Sequence, residues 1–235
     1  MKTASRLPLL ALPLLLGLAF AAGADEPKAK VPLTNKERIV FLGDSITQAG
    51  VGSNGYVTLV KKELAKKYPD REIEVIGAGI SGNKVPDLQK RLEKDVLDRK
   101  PTLVVIYIGI NDVWHGEKDP ARGTSKEKYE EGLRDVIKRI QDGGARVILC
   151  TPSVIGEKTD GSNKNDARLD EYAAISRTVA KELKVPVCDL RQAFLKELKA
   201  KNPDNKEKGL LTGDGVHLND AGNKLVAEQI LGMLE

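Results

Sequence analysis

The sequence of 235 residues contains few of the residues that carry metal, redox or imidazole chemistry. Its two cysteines cannot build a disulfide scaffold or a four-thiolate zinc site. Its formal net charge of +4 is small and spread along the chain, so no nucleic acid partner is expected. Because only two histidines are present, His115 and His217, any imidazole chemistry must use one of them.

Residues 1–24 have the pattern of a secretory signal peptide. Lys2 and Arg6 precede an uncharged run rich in leucine and alanine, and Ala22-Gly23-Ala24 forms an A-x-A-like cleavage site. The alternative is a membrane anchor, but a spanning helix needs about 20 apolar residues and two prolines interrupt this shorter run. We therefore expect cleavage near Ala24, export to the periplasm or the exterior, and no stable membrane anchor.

The remaining chain reads as one domain behind a short linker. Residues 25–36 are polar and contain two prolines, which is typical of a loose arm. Residues 37–235 show no second linker and no internal repeat, and about 200 residues suit a single domain.

Five short apolar runs, each followed by turn residues, predict β-strands. They are Arg38–Leu42, Ile73–Ile76, Leu103–Ile108, Arg146–Cys150 and Val185–Cys188. Helical patterns lie between them, with start signals at Pro86, the capping box Thr124-x-x-Glu127, Asp166, and Asn219 or Asp220. This alternation predicts an α/β fold with a parallel sheet covered on both faces, whose ligand site lies at the carboxyl ends of the strands.

The segments at that edge contain the residues needed for acyl transfer from an ester. Ser45 is a candidate nucleophile, His217 a candidate base, and Asp214, three residues before it, a carboxylate that can orient the imidazole. The backbone N–H groups of Ser45 and Gly82 and the side-chain amide of Asn111 can hold an oxyanion. A purely structural role remains an alternative for each residue, such as a helix cap for Ser45.

Four motifs together resemble the SGNH (GDSL) hydrolase superfamily. They are Gly-Asp-Ser-Ile-Thr at 43–47, Ile-Ser-Gly-Asn at 80–83, Gly-Ile-Asn-Asp at 109–112 and Asp-Gly-Val-His at 214–217. The resemblance implies a single-domain, flavodoxin-like three-layer α/β/α sandwich with strand order 2-1-3-4-5. It also implies the catalytic triad Ser45, Asp214 and His217 and the oxyanion hole of Ser45, Gly82 and Asn111. Gly77 departs from the family, which often has Asn there, and this puts one supporting hydrogen bond in doubt.

The favoured function is that of an exported serine ester hydrolase acting on a short-chain ester, with an acetylated carbohydrate as the preferred substrate. Alternatives on the same site are a lysophospholipase- or thioesterase-like lipid hydrolase, a sugar O-acyltransferase and a catalytically silent binding protein. A dinucleotide-binding protein is a more remote alternative, since Gly77-Ala-Gly-Ile-Ser-Gly82 is a G-x-G-x-x-G string after a strand. There, Pro86 would fall inside the helix that this motif requires.

The sequence leaves alternative roles for several neighbouring residues. Trp114 and His115 follow the third motif and are candidate substrate contacts, with a structural packing role as the alternative. Asp44 and Asp112 are expected to hold their loops, and Asp112 is a weaker rival to Asp214 as the triad acid. We expect no metal and no cofactor because the chain has no His-Glu-x-x-His motif or Cys/His cluster.

The two cysteines are also left undecided. Cys150 and Cys188 lie at matching positions of two strands that should be neighbours, so they are either buried thiols or a disulfide. The oligomeric state is not predicted.

Overall fold

The computed structural model describes residues 30–235. The strands are β1 (Arg38–Gly43), β2 (Glu74–Gly79), β3 (Leu103–Tyr107), β4 (Arg146–Cys150) and β5 (Val187–Cys188). The helices are α1 (Ser45–Ala49), α2 (Tyr56–Lys67), α3 (Val85–Asp95), α4 (Ile110–Trp114), α5 (Lys126–Asp142), α6 (Asp166–Glu182), α7 (Leu190–Lys201) and α8 (Asp220–Leu231). The predicted signal peptide lies outside the described residues.

Within these residues the strands form one parallel sheet in the order β2-β1-β3-β4-β5, which confirms the expected topology. Helix α2 packs against α8, and α7 also packs against α8. Helices α3, α5 and α6 form a second group, in which α5 contacts both others. The result is a three-layer α/β/α sandwich, and none of the helices in residues 30–235 is long and apolar enough to cross a membrane.

The central strands supply the core. Every residue of β3 is buried, as are Ile39–Gly43 in β1 and Val147–Cys150 in β4. Helices cover both faces of a parallel sheet, so its inner strands are continuous apolar runs and do not alternate with polar residues. This burial makes the central strands rigid and fixes the positions of the loops that follow them.

Several element boundaries differ from the sequence prediction. Strand β2 continues through Gly79, and β5 begins at Val187, because Pro186 has no N–H to donate to the ladder. Helix α5 is capped by Ser125, whose Oγ accepts from the N–H of Lys128, and not by Thr124. Helix α6 has Asn165 at its N-cap, one residue before the expected Asp166. Asn219 caps α8, as one of the two predicted alternatives.

The G-x-G-x-x-G string does not form a phosphate-binding turn. Gly77 and Gly79 both lie inside β2, and the next helix begins only at Val85. Dinucleotide binding needs these glycines at the turn into a helix N-terminus. The alternative of a dinucleotide-binding protein is therefore not supported by the fold.

Residues 31–33 of the predicted linker are packed against the fold. The N–H of Val31 donates to the carbonyl of Met233, and the N–H of Leu33 donates to that of Glu235, both at 2.7 Å. Val31 and Leu33 are 5% and 6% exposed. The expected loose arm is therefore wrong for residues 31–33, where alternating apolar side chains allow one side of the segment to be buried.

The two cysteines are direct neighbours in the register of β4 and β5, as expected. Cys150 pairs with Cys188, and both side chains are buried free thiols. Burial raises the pKa of the Cys150 thiol, which keeps it protonated and unreactive.

Candidate active site

Three predicted site residues form a continuous chain of contacts. Ser45 Oγ lies 2.9 Å from Nε2 of His217. Nδ1 of the same imidazole lies 2.7 Å from Oδ2 of Asp214. Nδ1–H donates to the carboxylate, so Nε2 carries the lone pair in the neutral ring and can accept the serine proton.

Ser45 is positioned by the sharp passage from β1 into α1. Asp44 is the N-cap of α1, and its Oδ1 accepts from the N–H of Ile46 at 2.9 Å. A Cβ on Gly43 would lie 2.1 Å from Oγ1 of Thr47 and 2.5 Å from the carbonyl oxygen of Tyr107. Only glycine fits there, and it allows the chain to turn so that the half-buried Ser45 faces the edge of the sheet.

Asp214 shapes its own loop while it orients His217. Its Oδ1 accepts from the N–H groups of Val216 and His217 at 2.9 and 2.7 Å. Gly215 between them has φ +99°, a conformation that favours glycine. The two carboxylate oxygens thus have different partners: Oδ1 accepts from the backbone of the loop, and Oδ2 contacts the imidazole.

The electrostatics keep Asp214 ionised. Its partial burial raises the pKa, but the hydrogen bonds from the His217 side chain and from the backbone N–H groups outweigh this and lower it to about 2. The Asp214 side chain is therefore a carboxylate at neutral pH. A carboxylate in this position can stabilise a positive charge on the neighbouring imidazole.

The candidate oxyanion donors lie at the ends of three adjacent strands, β1, β2 and β3. Gly82 has φ +75°, and a side chain there would be strained. Asn111 is 3% exposed, and its Nδ2 donates to the carbonyl of Asn83 at 3.1 Å. One amide hydrogen of Asn111 fixes the group against the segment that contains Gly82, and the other remains to be donated to an oxyanion.

Arg91 on α3 holds this segment in place, and the sequence reasoning missed it. Its guanidinium donates to the carbonyls of Gly43 and Ala78 at 2.8 and 2.9 Å, and to Oδ1 of Asn83 at 2.6 Å. It therefore ties the ends of β1 and β2 to the loop that follows β2. An arginine within an amphipathic helix shows no such role in the sequence.

Glu157 is a second residue that the sequence reasoning missed. Its fully buried carboxylate accepts from the N–H groups of Leu210, Leu211 and Thr212 and from Oγ1 of Thr212, at 2.6–2.8 Å. The carboxylate thus fixes residues 210–212, which lead directly into the loop of Asp214 and His217. Its partners are backbone groups more than 50 residues away, which no local pattern reveals.

Asp44 and Asp112 both act on loops, as expected. Burial raises the pKa of Asp44 to about 7 and that of Asp112 to about 6. Oδ1 of Asp112 accepts from the N–H of Val85 at the start of α3. Since Nδ1 of His217 contacts Asp214, Asp112 is not the partner of the imidazole.

Trp114 lies at the rim of the site. Its ring is 6.4 Å from that of His217, edge to face, and 6.2 Å from that of His115. Trp114 lines a cavity together with Asp214, whereas His115 is not among the lining residues. Burial and the charges of Lys84 and Arg122 lower the pKa of His115.

Gly77 has its own reason to be small. A Cβ built there would lie 2.3 Å from Cγ1 of Val51. The absence of a side chain at position 77 therefore makes room for Val51. Across residues 30–235, no group of three or more His, Cys, Asp or Glu side chains could hold a metal ion.

The chain is similar to one family model and to known esterases. The sequence model of the GDSL-like lipase/acylhydrolase family matches residues 41–225. An acetylxylan esterase of Geobacillus stearothermophilus is 34% identical over 211 residues, which cover 83% of this chain and 92% of that protein. An isoamyl acetate-hydrolyzing esterase 1 homolog of Rattus norvegicus is 26% identical over 84% of this chain and 81% of its own length.

Solved structures show the same fold. The crystal structure of the acetyl xylan esterase AlAXEase superimposes with a TM-score of 0.80 at 45% identity, covering 83% of this chain and 98% of that one. The family match spans most of the chain, and the matches to these three esterases cover 81–98% of their length. The chain therefore belongs to the GDSL-like lipase/acylhydrolase family, and it is a carboxylic ester hydrolase.

Proposed function

We propose that the protein removes acetyl groups from carbohydrate by a covalent serine mechanism. The observation that carries this is the contact chain from Ser45 Oγ through His217 to Asp214. The substrate class is supported by the two relatives that are acetylxylan esterases, at 34% and 45% identity.

In the first half of the proposed reaction, Ser45 Oγ attacks the ester carbonyl carbon and its proton passes to Nε2 of His217. The oxyanion accepts from the N–H groups of Ser45 and Gly82 and from the Asn111 amide. Collapse breaks the bond to the sugar oxygen, which takes the proton from His217 and leaves as the free hydroxyl.

In the second half, His217 takes a proton from water, and the resulting hydroxide attacks the acetyl group on Ser45. The same donors hold the second oxyanion. Collapse returns the proton to Ser45 and releases acetate. Asp214 stays ionised in both halves, in keeping with its low pKa.

We also propose that the protein works outside the cytoplasm, after cleavage near Ala24. The charged start, the apolar run and the A-x-A-like site of residues 1–24 support this. An extracellular or periplasmic location suits an enzyme that acts on polymeric carbohydrate. Mass spectrometry of exported protein is expected to show an N-terminus near Asp25, and protein that still begins at Met1 would contradict export.

The central test replaces the nucleophile. Ser45→Ala is expected to reduce release of acetate from an acetylated xylo-oligosaccharide at least about a thousandfold, because no other group can form the acyl intermediate. Ser53→Ala, the same change at an exposed serine, is expected to keep full turnover. Turnover retained in Ser45→Ala would rule out the mechanism, and wild-type turnover confined to long-chain lipid esters would rule out the substrate class.

A further inference from the structure

A cavity of about 310 Å³ lies directly beside the proposed triad. Its walls come from the end of α4 and the turn after it, from the connection between β4 and α6, and from the loop that holds Asp214 and His217. The residues that matter below are Trp114, Glu117, Asn165 and Asp214. Its volume is at the lower end of the range of pockets that bind small molecules.

Trp114 borders both the cavity and the imidazole of His217. In the proposed mechanism His217 gives its proton to the leaving oxygen, so that oxygen sits next to the imidazole. The Trp114 ring stands edge to face with the imidazole at 6.4 Å, and the cavity extends from there. The cavity therefore borders the same aromatic ring as the imidazole that serves the leaving oxygen, which makes it a candidate space for the alcohol part.

Asn165 has an unusual arrangement. It occupies the N-cap of α6, where an asparagine side chain normally accepts from its own helix and stabilises it. Here it makes no such bond. Its Nδ2 instead donates to Oε2 of Glu117 at 3.0 Å, and the residue is 4% exposed. The side chain is thus turned from its helix toward the wall of the cavity.

The Glu117–Asn165 pair keeps unused hydrogen-bonding capacity. A carboxylate can accept about four hydrogen bonds and a side-chain amide offers two donors and an acceptor, so one mutual bond leaves most of it free. Trp114, which is half-buried, adds a broad apolar face. Lysines and carboxylates both line the cavity, so the lining does not select a strongly charged ligand.

We propose that this cavity binds the sugar ring that carries the ester, an inference that rests on the proposed function. A pyranose has hydroxyl groups around its edge and C–H groups on its faces. Trp114 contacts a C–H face of the ring. The Glu117–Asn165 pair binds its hydroxyl groups, and the acetyl group points toward Ser45.

Binding can be measured without chemistry, because Trp114 is the single tryptophan of the chain. Ser45→Ala protein titrated with an acetylated xylo-oligosaccharide is expected to show a saturable change in tryptophan emission. Adding Glu117→Gln is expected to weaken the apparent Kd about tenfold. Adding Glu131→Gln, the same change at an exposed site outside the cavity, is expected to leave it unchanged. Absence of an emission change, or equal effects of the two glutamine variants, would overturn the proposal.

Kinetics provide a second readout, with two esters that share the acetyl group. Trp114→Ala is expected to lower kcat/KM at least about tenfold on the acetylated xylo-oligosaccharide and less than twofold on ethyl acetate, whose alcohol is too small to fill the cavity. Trp114→Phe, which keeps an aromatic face, is expected to recover most of the loss. Equal losses on both esters would show that Trp114 only supports the triad. Turnover that persists in Ser45→Ala would instead contradict the proposed function, whatever the emission shows.

Discussion

At the scale of single residues, the two histidines have different surroundings. His217 has a carboxylate on one ring nitrogen and a serine hydroxyl on the other. His115 packs beside Trp114, and burial with the charges of Lys84 and Arg122 lowers its pKa. Of the two imidazoles, only that of His217 contacts both a serine hydroxyl and a carboxylate.

This difference predicts opposite results for the same substitution. His217→Ala is expected to reduce kcat by at least about a thousandfold, since nothing else can accept the serine proton. His115→Ala is expected to change kcat less than about threefold, with any larger effect in KM. Steady-state kinetics on an acetate ester distinguish the two, and a reversal of the two effects would contradict the assignment of the base.

Asp44 predicts a pH dependence of stability. Its pKa rises from an ordinary value of 3.8 to about 7 on burial, so the folded state binds this proton more tightly than the unfolded chain. The stability that protonated Asp44 contributes to the folded state is fully present below pH 3.8 and is lost as the pH rises through 7. Asp44→Asn keeps the cap acceptor for the N–H of Ile46 but cannot ionise.

The Tm of Asp44→Asn is therefore expected to fall less than that of wild type between pH 5 and pH 8, by about 3 °C or more. Thermal unfolding at both pH values measures this. Asp112 also has a raised pKa, and its charge raises the pKa of Asp44, so Asp112→Asn measured in the same way separates the two carboxyl groups. Parallel curves would mean that Asp44 does not titrate in this range.

At the scale of elements, strands were easier to predict than short helices. The run Arg146–Cys150 marks β4 at both ends, because its inward side chains are uniformly apolar. Helix α2 was not predicted, although Tyr56, Val57, Val60 and Leu64 have helical spacing and are buried. Helices α1 and α4 have five residues each, too few for a period to be visible.

The residues of the candidate site also fall into two groups, those that a local motif predicts and those that it does not. Ser45, Asp214 and His217 stand in short motifs at strand ends or in one loop, so their residue types and order predict the contacts that the structure shows among them. Arg91 and Glu157 act through backbone groups that are distant in the sequence. Such partners depend on which carbonyl and N–H groups the fold leaves unpaired, and the sequence does not show this.

The role of Glu157 is testable through its loop. Glu157→Gln replaces one acceptor oxygen with an NH₂ group that faces backbone donors, which leaves at least one N–H unpaired at a cost of about 1–3 kcal/mol. We expect a lower Tm and a kcat about tenfold lower with little change in KM, measured well below the Tm. Glu63→Gln, an exposed control, is expected to change neither. Unchanged kcat in the folded variant would limit Glu157 to a structural role.

At the scale of the whole molecule, the two ends of the described chain are joined. The segment 31–33 pairs with 233–235, and Arg71 donates to the carbonyl of Leu33 at 2.9 Å. The Val31 and Leu33 side chains are buried with Met233 and Leu234. The segment therefore belongs to the folded domain that follows the predicted cleavage site.

Removing this segment is expected to destabilise the protein. A variant that begins at Asn35 loses the burial of two aliphatic side chains, worth about 1.5–3 kcal/mol each. Its Tm is expected to fall by roughly 6–20 °C relative to a protein that begins at Asp25. Differential scanning calorimetry on both proteins measures this, and equal Tm values would show that the pairing adds no stability.

His217 follows Ser45 by 172 positions in the sequence, which also sets an order of events in time. A chain made from its N-terminus exposes the serine with the first strand, but the imidazole follows only after the seventh helix. Any nascent or broken chain that stops earlier holds a serine hydroxyl with no group to take its proton. Under the proposed mechanism, the capacity to cleave esters therefore begins only after His217 has been added to the chain.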